Sequence, residues 1–161
     1  MVALGSNLGD SVLLLRRALD RLAAFSITPL RCSSLWRSSP VDCPPGSPPF
    51  LNAVAGLTPF PTESPESFLD RLQFLEREFG RRPKQVLNEP RPLDLDLIVF
   101  GVEVRNTPRL VLPHPRAHRR RFVLAPLAEL APELTLPGQQ RTVSQLLAAL
   151  ISDEHLERLP G

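Results

Sequence analysis

The stretch RPLDLDLIVFG, residues 91–101, sets two aspartates one residue apart inside an otherwise apolar run. The run is shorter than a typical helix and is bounded by a proline and a glycine, so it predicts a buried β-strand over about 93–100. Residues two apart in a strand point to the same side, so Asp94 and Asp96 share a face with Cβ atoms roughly 6–7 Å apart. The opposite face is left to apolar residues, namely Leu93, Leu95, Leu97 and Val99.

Two carboxylates side by side on a half-buried surface create an electrostatic conflict. They repel each other and lose hydration, so one of them is driven toward protonation unless a cation lies between them. Mg²⁺ suits such oxygen ligands because it keeps several waters and shares its coordination with substrate phosphates. The alternative is that Asp94 and Asp96 are solvated at an exposed strand end or paired with nearby arginines.

The middle third of the chain is strongly basic, although the formal net charge of the whole chain is only +2. A polyphosphate bridged by Mg²⁺ requires such positive charge, since guanidinium groups bind phosphate oxygens in pairs. A general nucleic-acid surface would explain the basic residues but not the aspartates, which repel a phosphate backbone in the absence of metal. The basic residues and histidines of this region are Arg77, Arg81, Arg82, Lys84, Arg91, Arg105, Arg109, His114, Arg116, His118, Arg119, Arg120 and Arg121.

Length and composition predict one globular domain over residues 1–161, because 42% of the residues are hydrophobic and 22% are charged. No apolar stretch approaches the length of a membrane span, and no charged-then-apolar leader opens the sequence. We therefore expect a cytoplasmic protein that does not bind membranes. Cys32 and Cys43 fit neither a disulfide framework nor a metal-ligand spacing and are interpreted as incidental thiols.

Helices are predicted where apolar residues recur at three- and four-residue spacing. The first spans about 11–24 after Asp10, which can cap it. The second spans about 65–79, after a serine and a proline that suit the N-cap and the first turn. Two further segments with helical patterns, at 121–130 and 143–150, lie near the C-terminal end.

Strands are predicted between these helices, at about 2–4, 29–37, 50–57 and 93–100. Residues 38–49 contain five prolines and are expected to form a long loop. The resulting order β-α-β-β-α-β is the split βαβ arrangement, so we predict an α+β fold with a ferredoxin-like core. A hairpin at the sheet edge, over 102–112, and the last helices would be C-terminal additions to that core.

Six segments of the chain together form a specific signature: ALGSNLGD at 3–10, SSLWRSSPV at 33–41, FLNAV at 50–54, EREFGR at 76–81, PRPLDLDLI at 90–98 and LPHPRAHRRRFVLAPLAELAPEL at 112–134. On these segments, which cover nearly the whole chain, it resembles the hydroxymethyl-dihydropterin pyrophosphokinase family. Members of that family move the β,γ-diphosphate of ATP to the hydroxymethyl group of 6-hydroxymethyl-7,8-dihydropterin and release AMP, in folate biosynthesis. The resemblance implies the same reaction here.

The resemblance also implies a role for the charged residues. Asp94 and Asp96 would carry two Mg²⁺ ions bound with ATP, whose charge is neutralised during transfer. Leu97 would act through its backbone, and the alternative for this residue is a position in the core. The alternative for the arginines is that they are solvated surface residues. The residues implied in catalysis are Arg81, Arg82, Arg91, Asp94 and Asp96. Those implied in ATP binding are Glu76, Arg81, Lys84, Arg91, Leu97, Arg109, His114 and Arg120.

A pterin is a flat ring with a donor-rich edge, so its site needs aromatic faces together with directional donors and acceptors. The resemblance implies that Phe50 and Phe122 stack on this ring, whereas a core position is the alternative for each. Asn52 lies on the same strand face as Phe50, and its amide can donate to and accept from the pterin edge. The loop residues implied to contact the ring through backbone groups are Ser38, Pro40 and Val41.

The loop ahead of the aspartate strand departs from the family pattern. We expect residues 82–89 to be mobile in the free protein and to close over the nucleotide through Arg82 and Lys84. The residues that replace basic or small groups of the family pattern are Pro83, Leu87 and Glu89.

The leading hypothesis is an enzyme that works by positioning and charge neutralisation, without a covalent intermediate. No side chain is an obvious general base, although Asp96 could lie near the attacking hydroxyl. The alternative is a non-catalytic nucleotide- or RNA-binding α+β module, in which Phe50 and Phe122 would stack on bases. RNA binding would gain nothing from the two aspartates. Another ATP-dependent transferase is a third hypothesis, against which Asn52 argues.

The expected partners follow from the leading hypothesis. They are ATP and the reduced pterin, with no nucleic acid and no membrane. We expect a monomer with a functional link to other enzymes of the folate pathway.

Overall fold

The computed structural model describes residues 1–161 and contains one main antiparallel sheet with helices against both faces. None of its helices combines the length and apolar character that a membrane crossing requires. The helices are α1 (Ser11–Ala23), α2 (Pro65–Glu78), α3 (Arg121–Leu130) and α4 (Val143–Ala149), with one 3-10 turn at Ala117–Arg119. The strands are β1 (Val2–Ser6), β2 (Arg31–Cys32), β3 (Trp36–Ser38), β4 (Phe50–Gly56), β5 (Asp94–Leu97), β6 (Arg105–Asn106), β7 (Val111–Leu112) and β8 (Leu156–Arg158).

The main sheet has the strand order β5-β1-β4-β3-β8, and β2 also pairs with β4. Every pairing in it is antiparallel, which confirms the α+β class. The hairpin predicted within 102–112 forms as β6 and β7, but it is a separate two-stranded sheet and does not extend the edge of the main one.

Strand alternation divides the apolar side chains between two cores. Leu4 and Leu95 point to one face of the sheet, where they pack with buried residues of α1 and α2. Val54 points to the other face and packs with buried residues of α3 and α4, together with Ile98 and Val99. Burying each such side chain stabilises the fold by roughly 1.5–3 kcal/mol, so both helix layers are fixed to the sheet.

Three helices begin at side chains that satisfy their first amide groups. Asp10 accepts a hydrogen bond in the first turn of α1, and Ser64 and Ser67 cap each other at the start of α2. Thr142 does the same for α4 in a reciprocal pair with the helix's third residue. Arg120, which precedes α3, makes no side-chain capping bond, so the start of α3 depends on another part of the chain.

Two strands differ from the sequence-based prediction. The strand expected over 29–37 is broken into β2 and β3, because the Ser33 hydroxyl accepts a hydrogen bond from the Val54 amide at 2.9 Å and interrupts the backbone ladder. The strand β8 was not predicted at all, since its three residues, Leu-Glu-Arg, carry almost no apolar pattern.

Candidate active site

A pocket opens on the α3 side of the sheet, where β4, β1 and β5 lie next to one another. Gly5 of β1 is paired with Asp94 of β5 on one side and with Asn52 of β4 on the other. The pocket has an empty volume of about 670 Å³. It brings together nine of the predicted residues, namely Ser38, Val41, Phe50, Asn52, Arg91, Asp94, Asp96, Arg120 and Phe122.

Gly5 keeps the floor of this pocket open. A Cβ atom at this position would lie 3.7 Å from Asn52 Oδ1, 3.7 Å from the Phe50 ring and 3.9 Å from the Asp94 Cβ. Any side chain longer than alanine would therefore project into the space between these three residues. The glycine joins a charged half of the pocket, on β5, to a largely neutral half on β3 and β4.

Asp94 is held by two arginines in the charged half. Its Oδ1 accepts a hydrogen bond from Arg81, and its Oδ2 accepts one from Arg91 Nη2 at 2.8 Å. Burial by itself raises the pKa of this carboxyl, but the charges of Arg91 and Arg81 hold its pKa below the ordinary value. Asp94 therefore stays ionised. Its two arginine partners also mean that the alternative predicted for the aspartates, pairing with nearby arginines, holds for Asp94.

Asp96 lies on the same strand face but has different surroundings. Its carboxylate makes no hydrogen bond, and the nearest basic group is His114, with Nε2 at 3.9 Å from Oδ2. Burial, followed by the charge of Asp94, raises the pKa of Asp96 to about 6. A cation bound here would remove the repulsion that raises this pKa.

This donor set suits Mg²⁺. Asp94 and Asp96 offer hard carboxylate oxygens, and Asp96 has both oxygens free of protein donors. The protein contains no group of three or more His, Cys, Asp or Glu side chains arranged to hold a metal. Most of the coordination would therefore come from water and from a phosphate ligand, which is the usual environment of Mg²⁺ at nucleotide sites.

Glu76 of α2 lies beneath the charged half and does not line the pocket. Its Oε1 accepts hydrogen bonds from the Leu95 amide at 2.7 Å and from Arg81 Nη1 at 2.5 Å. Burial raises the pKa of Glu76 to about 7, although these bonds favour the ionised form. Glu76 thus connects α2 to β5 and to Arg81. It was predicted to contact the nucleotide, but in this structure it contacts Arg81, which binds the pocket residue Asp94, and does not line the pocket itself.

His114 and Arg120 approach the aspartates from the opposite side. The Arg116 amide donates to His114 Nδ1 at 3.2 Å, so the ring proton lies on Nε2, the atom nearest Asp96. Burial, together with Arg120 and Arg116, lowers the pKa of His114 to about 4, and the ring is neutral near pH 7. The Arg120 guanidinium makes no hydrogen bond with the protein and lies 5.4 Å from the centre of the Phe122 ring.

A second cavity, with an empty volume of about 980 Å³, adjoins the charged half. Arg81 and Arg91 line it together with Arg82 and Lys84, so four of the predicted basic residues meet there. Arg81 and Arg91 are already paired with carboxylates. The side chains of Arg82 and Lys84 make no hydrogen bond or ion pair and are free for an anion.

The loop 82–89 is folded on itself in this structure. The Glu89 carboxylate accepts hydrogen bonds from the amides of Gln85 and Val86, at 3.1 and 3.3 Å. Asn88 Nδ2 donates to the Asp42 carbonyl at 2.7 Å and so connects this loop to the proline-rich loop on the other side of the pocket. The mobility and closure expected of residues 82–89 stay predictions.

The neutral half is ordered by the Asn52 amide. Its Nδ2 donates to Ser38 Oγ at 2.8 Å and to the Trp36 carbonyl at 3.3 Å, which leaves Oδ1 without a protein donor. Asn52 therefore offers an acceptor to the pocket, whereas donation to a ligand would require Nδ2 to release one of its partners. Phe50 closes this side, with its ring centre 5.2 Å from the Arg91 guanidinium.

Besides Glu76, His114 and the three basic residues that line only the second cavity, three more predicted residues lie outside the pocket. The Leu97 side chain is buried in the core beneath α1 and α2, as its alternative required. Arg109 is exposed and is ion-paired with Asp70 of α2. Pro40 lines a neighbouring cavity that also reaches Val41 and Phe122.

Asn7 was missed by the sequence analysis. It is 4% exposed, its Oδ1 accepts a hydrogen bond from the Arg91 backbone amide at 2.9 Å, and its backbone amide donates to the Arg91 carbonyl at 3.2 Å. These bonds fix the backbone of a site arginine. The available signal was the turn-rich segment Gly5–Asp10 directly after a strand, a common place for functional backbone geometry. The remaining pocket residues, for which no role was predicted, are Ala3, Leu4, Gly5, Ser39, Asp42, Cys43 and Asn88.

Comparison with known proteins identifies relatives over nearly the whole chain. A family model described as 7,8-dihydro-6-hydroxymethylpterin-pyrophosphokinase (HPPK) matches residues 1–132. The chain is 43% identical over 161 residues to the 2-amino-4-hydroxy-6-hydroxymethyldihydropteridine pyrophosphokinase of Pseudomonas aeruginosa, covering 99% of this chain and 96% of the relative. It is 42% identical over 141 residues to the protein of the same name from Haemophilus influenzae, covering 86% of this chain and 85% of that one.

The fold is also similar to a solved structure described as HPPK-DHPS in complex with substrates. The TM-score is 0.71, and the match covers 92% of this chain and 42% of the solved chain. At 10% sequence identity this likeness concerns the fold alone. The family match over most of the chain and the identity to full-length relatives show that the protein belongs to the HPPK family.

Proposed function

We propose that this protein transfers the β,γ-diphosphate of ATP to the hydroxymethyl group of 6-hydroxymethyl-7,8-dihydropterin and releases AMP. Its relatives from P. aeruginosa and H. influenzae are named as pyrophosphokinases of this pterin. The observation that carries the proposal is the meeting of two unlike half-sites across Gly5. A carboxylate pair among arginines suits a metal-bound polyphosphate, and an amide-lined space beside aromatic rings suits a flat polar heterocycle.

In the charged half, Asp94 and Asp96 would hold Mg²⁺, with two ions proposed. The metal would neutralise phosphate charge as the bond to the diphosphate breaks. Arg81 and Arg91 keep Asp94 ionised and oriented before any ligand arrives. Arg120, which has no protein partner, is available for a phosphate oxygen. These groups are fixed in advance, and preorganised charges of this kind supply most of the catalysis in phosphoryl transfer.

In the neutral half, Asn52 Oδ1 would accept a hydrogen bond from the amino or ring N–H edge of the pterin. Ser38 holds the Asn52 amide in that orientation. Phe50 and Phe122 both line the pocket and would cover the ring. Ser38 ends β3, and Pro40 and Val41 follow it in the loop; all three are proposed to contact the ring through backbone groups. A pterin held here would bring its hydroxymethyl group toward the aspartates across Gly5, and such positioning lowers the barrier of a two-substrate reaction.

Several finer predictions are part of the same proposal. Glu76, Lys84, Leu97, Arg109 and His114 are proposed around the nucleotide. The antiparallel strand order β5-β1-β4-β3 supports the ferredoxin-like description of the core. The monomeric state, the cytoplasmic location and the link to other folate enzymes stay predictions. The RNA-binding alternative has no support from the comparisons.

The test is to incubate the protein with ATP, Mg²⁺ and the reduced pterin and to identify the nucleotide product by chromatography. We expect AMP in an amount equal to the diphosphorylated pterin, and none when the pterin is omitted. ADP as the product would indicate transfer of a single phosphoryl group, and an absence of pterin-dependent AMP would contradict the proposal. Oxidised pterin lacking the hydroxymethyl group serves as the matched control substrate.

A further inference from the structure

Residues 152–158, here called the C-terminal strap, lie outside the segment that the family model matches. The strap nevertheless lies beside the neutral half, where Ser152, Asp153 and Glu154 line a neighbouring cavity together with Arg120 and Phe122. Its last three residues form β8, which pairs with β3 so that Leu156 is opposite Ser38. The pairing continues beyond the strand, because the Ser39 amide donates to the His155 carbonyl at 3.0 Å and the His155 amide donates to Ser39 Oγ at 3.2 Å.

Glu154 extends from the strap to the start of α3. Its Oε2 accepts a hydrogen bond from the Arg121 amide at 3.1 Å, and its Oε1 accepts one from the Phe122 amide at 3.2 Å. The residue in the ordinary capping position, Arg120, has no side-chain capping bond. Glu154 therefore does for α3 what an N-cap residue does for other helices, and its negative charge is favourable beside the helix N-terminus.

The residues at this helix start face the pocket. Phe122 donates its backbone amide to Glu154 and turns its ring to the pocket wall, and Arg120 lies over that ring with its guanidinium carbon 5.4 Å from the ring centre. On its other side the strap holds β3, whose Ser38 fixes the Asn52 amide. One carboxylate thus connects the aromatic wall of the neutral half to the strand that orders its polar floor.

We propose that Glu154 is a positioning residue that holds Phe122 in place for the pterin. This inference rests on the function proposed above. Without the Glu154 carboxylate, two amides of the first turn of α3 lose their acceptor, and the turn that carries Phe122 loosens. Arg120 precedes this turn, and its amide keeps its own bond to the Ala117 carbonyl at 3.3 Å. The charged half lies on β5 and is held by contacts that do not involve the strap. Loss of Glu154 therefore weakens pterin binding selectively.

The test compares Glu154→Ala with Glu157→Ala under identical steady-state conditions. Glu157 lies on the same strap, but its carboxylate is exposed and pairs only with Arg37 at 3.7 Å. In Glu154→Ala we expect the KM for the pterin to rise about tenfold, with the KM for ATP changing less than about twofold. Hydrogen exchange at the Arg121 and Phe122 amides should be faster in the same variant. Glu157→Ala should change none of these quantities.

A conservative variant separates positioning from a loss of folding. Glu154→Gln keeps an acceptor oxygen at the helix start but not the charge, so we expect it to restore most of the pterin KM, to within about threefold of wild type. If Glu154→Ala does not fold, Glu154→Gln replaces it, and we then expect the pterin KM to rise by about two- to threefold with an unchanged KM for ATP. Equal rises in both KM values, or an unchanged pterin KM, would overturn the inference. If the wild-type protein forms no AMP from ATP and pterin, the proposed function fails together with this role, an outcome distinct from failure of the variant alone.

Discussion

Asp94 and Asn52 lie on either side of Gly5, yet one is fixed by charged partners and the other by neutral ones. Asp94 accepts hydrogen bonds from two arginines, whereas Asn52 donates to a hydroxyl and to a backbone carbonyl. Charged hydrogen bonds are stronger, but they depend on the protonation of every group around them. The neutral hydrogen bonds of Asn52 do not depend on the protonation of the groups around them.

This difference separates a carboxylate pair whose surroundings titrate from an amide whose hydrogen-bond partners do not titrate. The pKa of Asp96 is raised to about 6 and that of Glu76 to about 7, and both groups belong to the charged half. The hydrogen-bond partners of the Asn52 amide, a hydroxyl and a backbone carbonyl, do not titrate. Substitutions in the two halves should therefore differ in kind as well as in size.

The largest effect is expected for Asp96→Asn. Because Asp96 has no protein partner, its loss should lower turnover by at least ~10²–10³-fold at saturating Mg²⁺ without weakening the fold. Asp94→Asn should lower turnover as much and also reduce thermal stability, since Arg81 and Arg91 lose the charge of Asp94 and one of its two acceptor oxygens. Steady-state rates and melting curves measure both effects, with the exposed Asp20→Asn as control. A near-normal rate in Asp96→Asn would show that the charged half does not hold the metal.

A pH-dependent effect on stability is expected for Glu76→Gln. The folded-state pKa of Glu76, about 7, lies above its unfolded value of 4.5. Protonated Glu76 therefore contributes its full share to the unfolding free energy below pH 4.5. This contribution is lost as the pH rises through 7, the folded-state pKa. The wild type should lose about 3 kcal/mol of unfolding free energy over this window relative to Glu76→Gln. Urea unfolding at several pH values measures the difference.

Comparing the wild type with Glu76→Gln cancels the contribution of Asp96, whose raised pKa acts in the same direction. The exposed Glu133→Gln serves as the control and should follow the wild type at every pH. Parallel pH profiles for wild type and Glu76→Gln would mean that Glu76 is not responsible for the pH response of the charged half.

In the neutral half, Phe122→Ala should weaken pterin binding by roughly 1–3 kcal/mol, the range found for stacking of a base on an aromatic side chain. ATP affinity should change little. Phe50→Ala should cost a similar amount of pterin affinity. Titration calorimetry with each ligand separately provides the measurement, and the exposed Phe74→Ala is the matched control. Equal losses for both ligands would assign the phenylalanines to the core.

The smallest effect is expected for Arg82→Ala. Arg82 has no partner and lines the second cavity, so a phosphate contact would form only when the loop 82–89 moves toward the nucleotide. The chemical step should slow by about tenfold while the Kd for ATP changes less, the pattern of a contact made mainly in the transition state. Single-turnover kinetics and equilibrium binding separate the two quantities, with the exposed Arg17→Ala as control. An unchanged chemical step would leave Arg81, Arg91 and Arg120 to carry the phosphate charge.

The elements with strong apolar periodicity were predictable from the sequence. The helix predicted at 121–130 forms with those bounds, and α1 and α2 end within one residue of their predicted ends. The break at Ser33 was not predictable, because it depends on a hydroxyl that bonds to a different strand. The strand β8 was not predictable for the same reason, because it depends on pairing with β3, which is distant in the sequence.

The site residues were predictable as a set, but their individual environments were not. The D-x-D spacing places two aspartates on one face, and it cannot distinguish Asp94, which is bound by two arginines, from Asp96, which is bound by none. That distinction depends on Arg81, which follows α2, and on the buried Glu76. The contacts of Asn7 and Glu154 with the site join residues far apart in the chain and leave no local pattern.

The pairing of β8 with β3 also bears on how copies of this protein meet one another. Without β8, the outer edge of β3 would present unpaired amide and carbonyl groups, which invite strand addition by a second chain. The strand that covers this edge is only three residues long and carries the exposed charges of Glu157 and Arg158. Short, charged edges resist intermolecular pairing. The strap therefore also protects the sheet against self-association, and a chain ending before Leu156 would be more prone to aggregate.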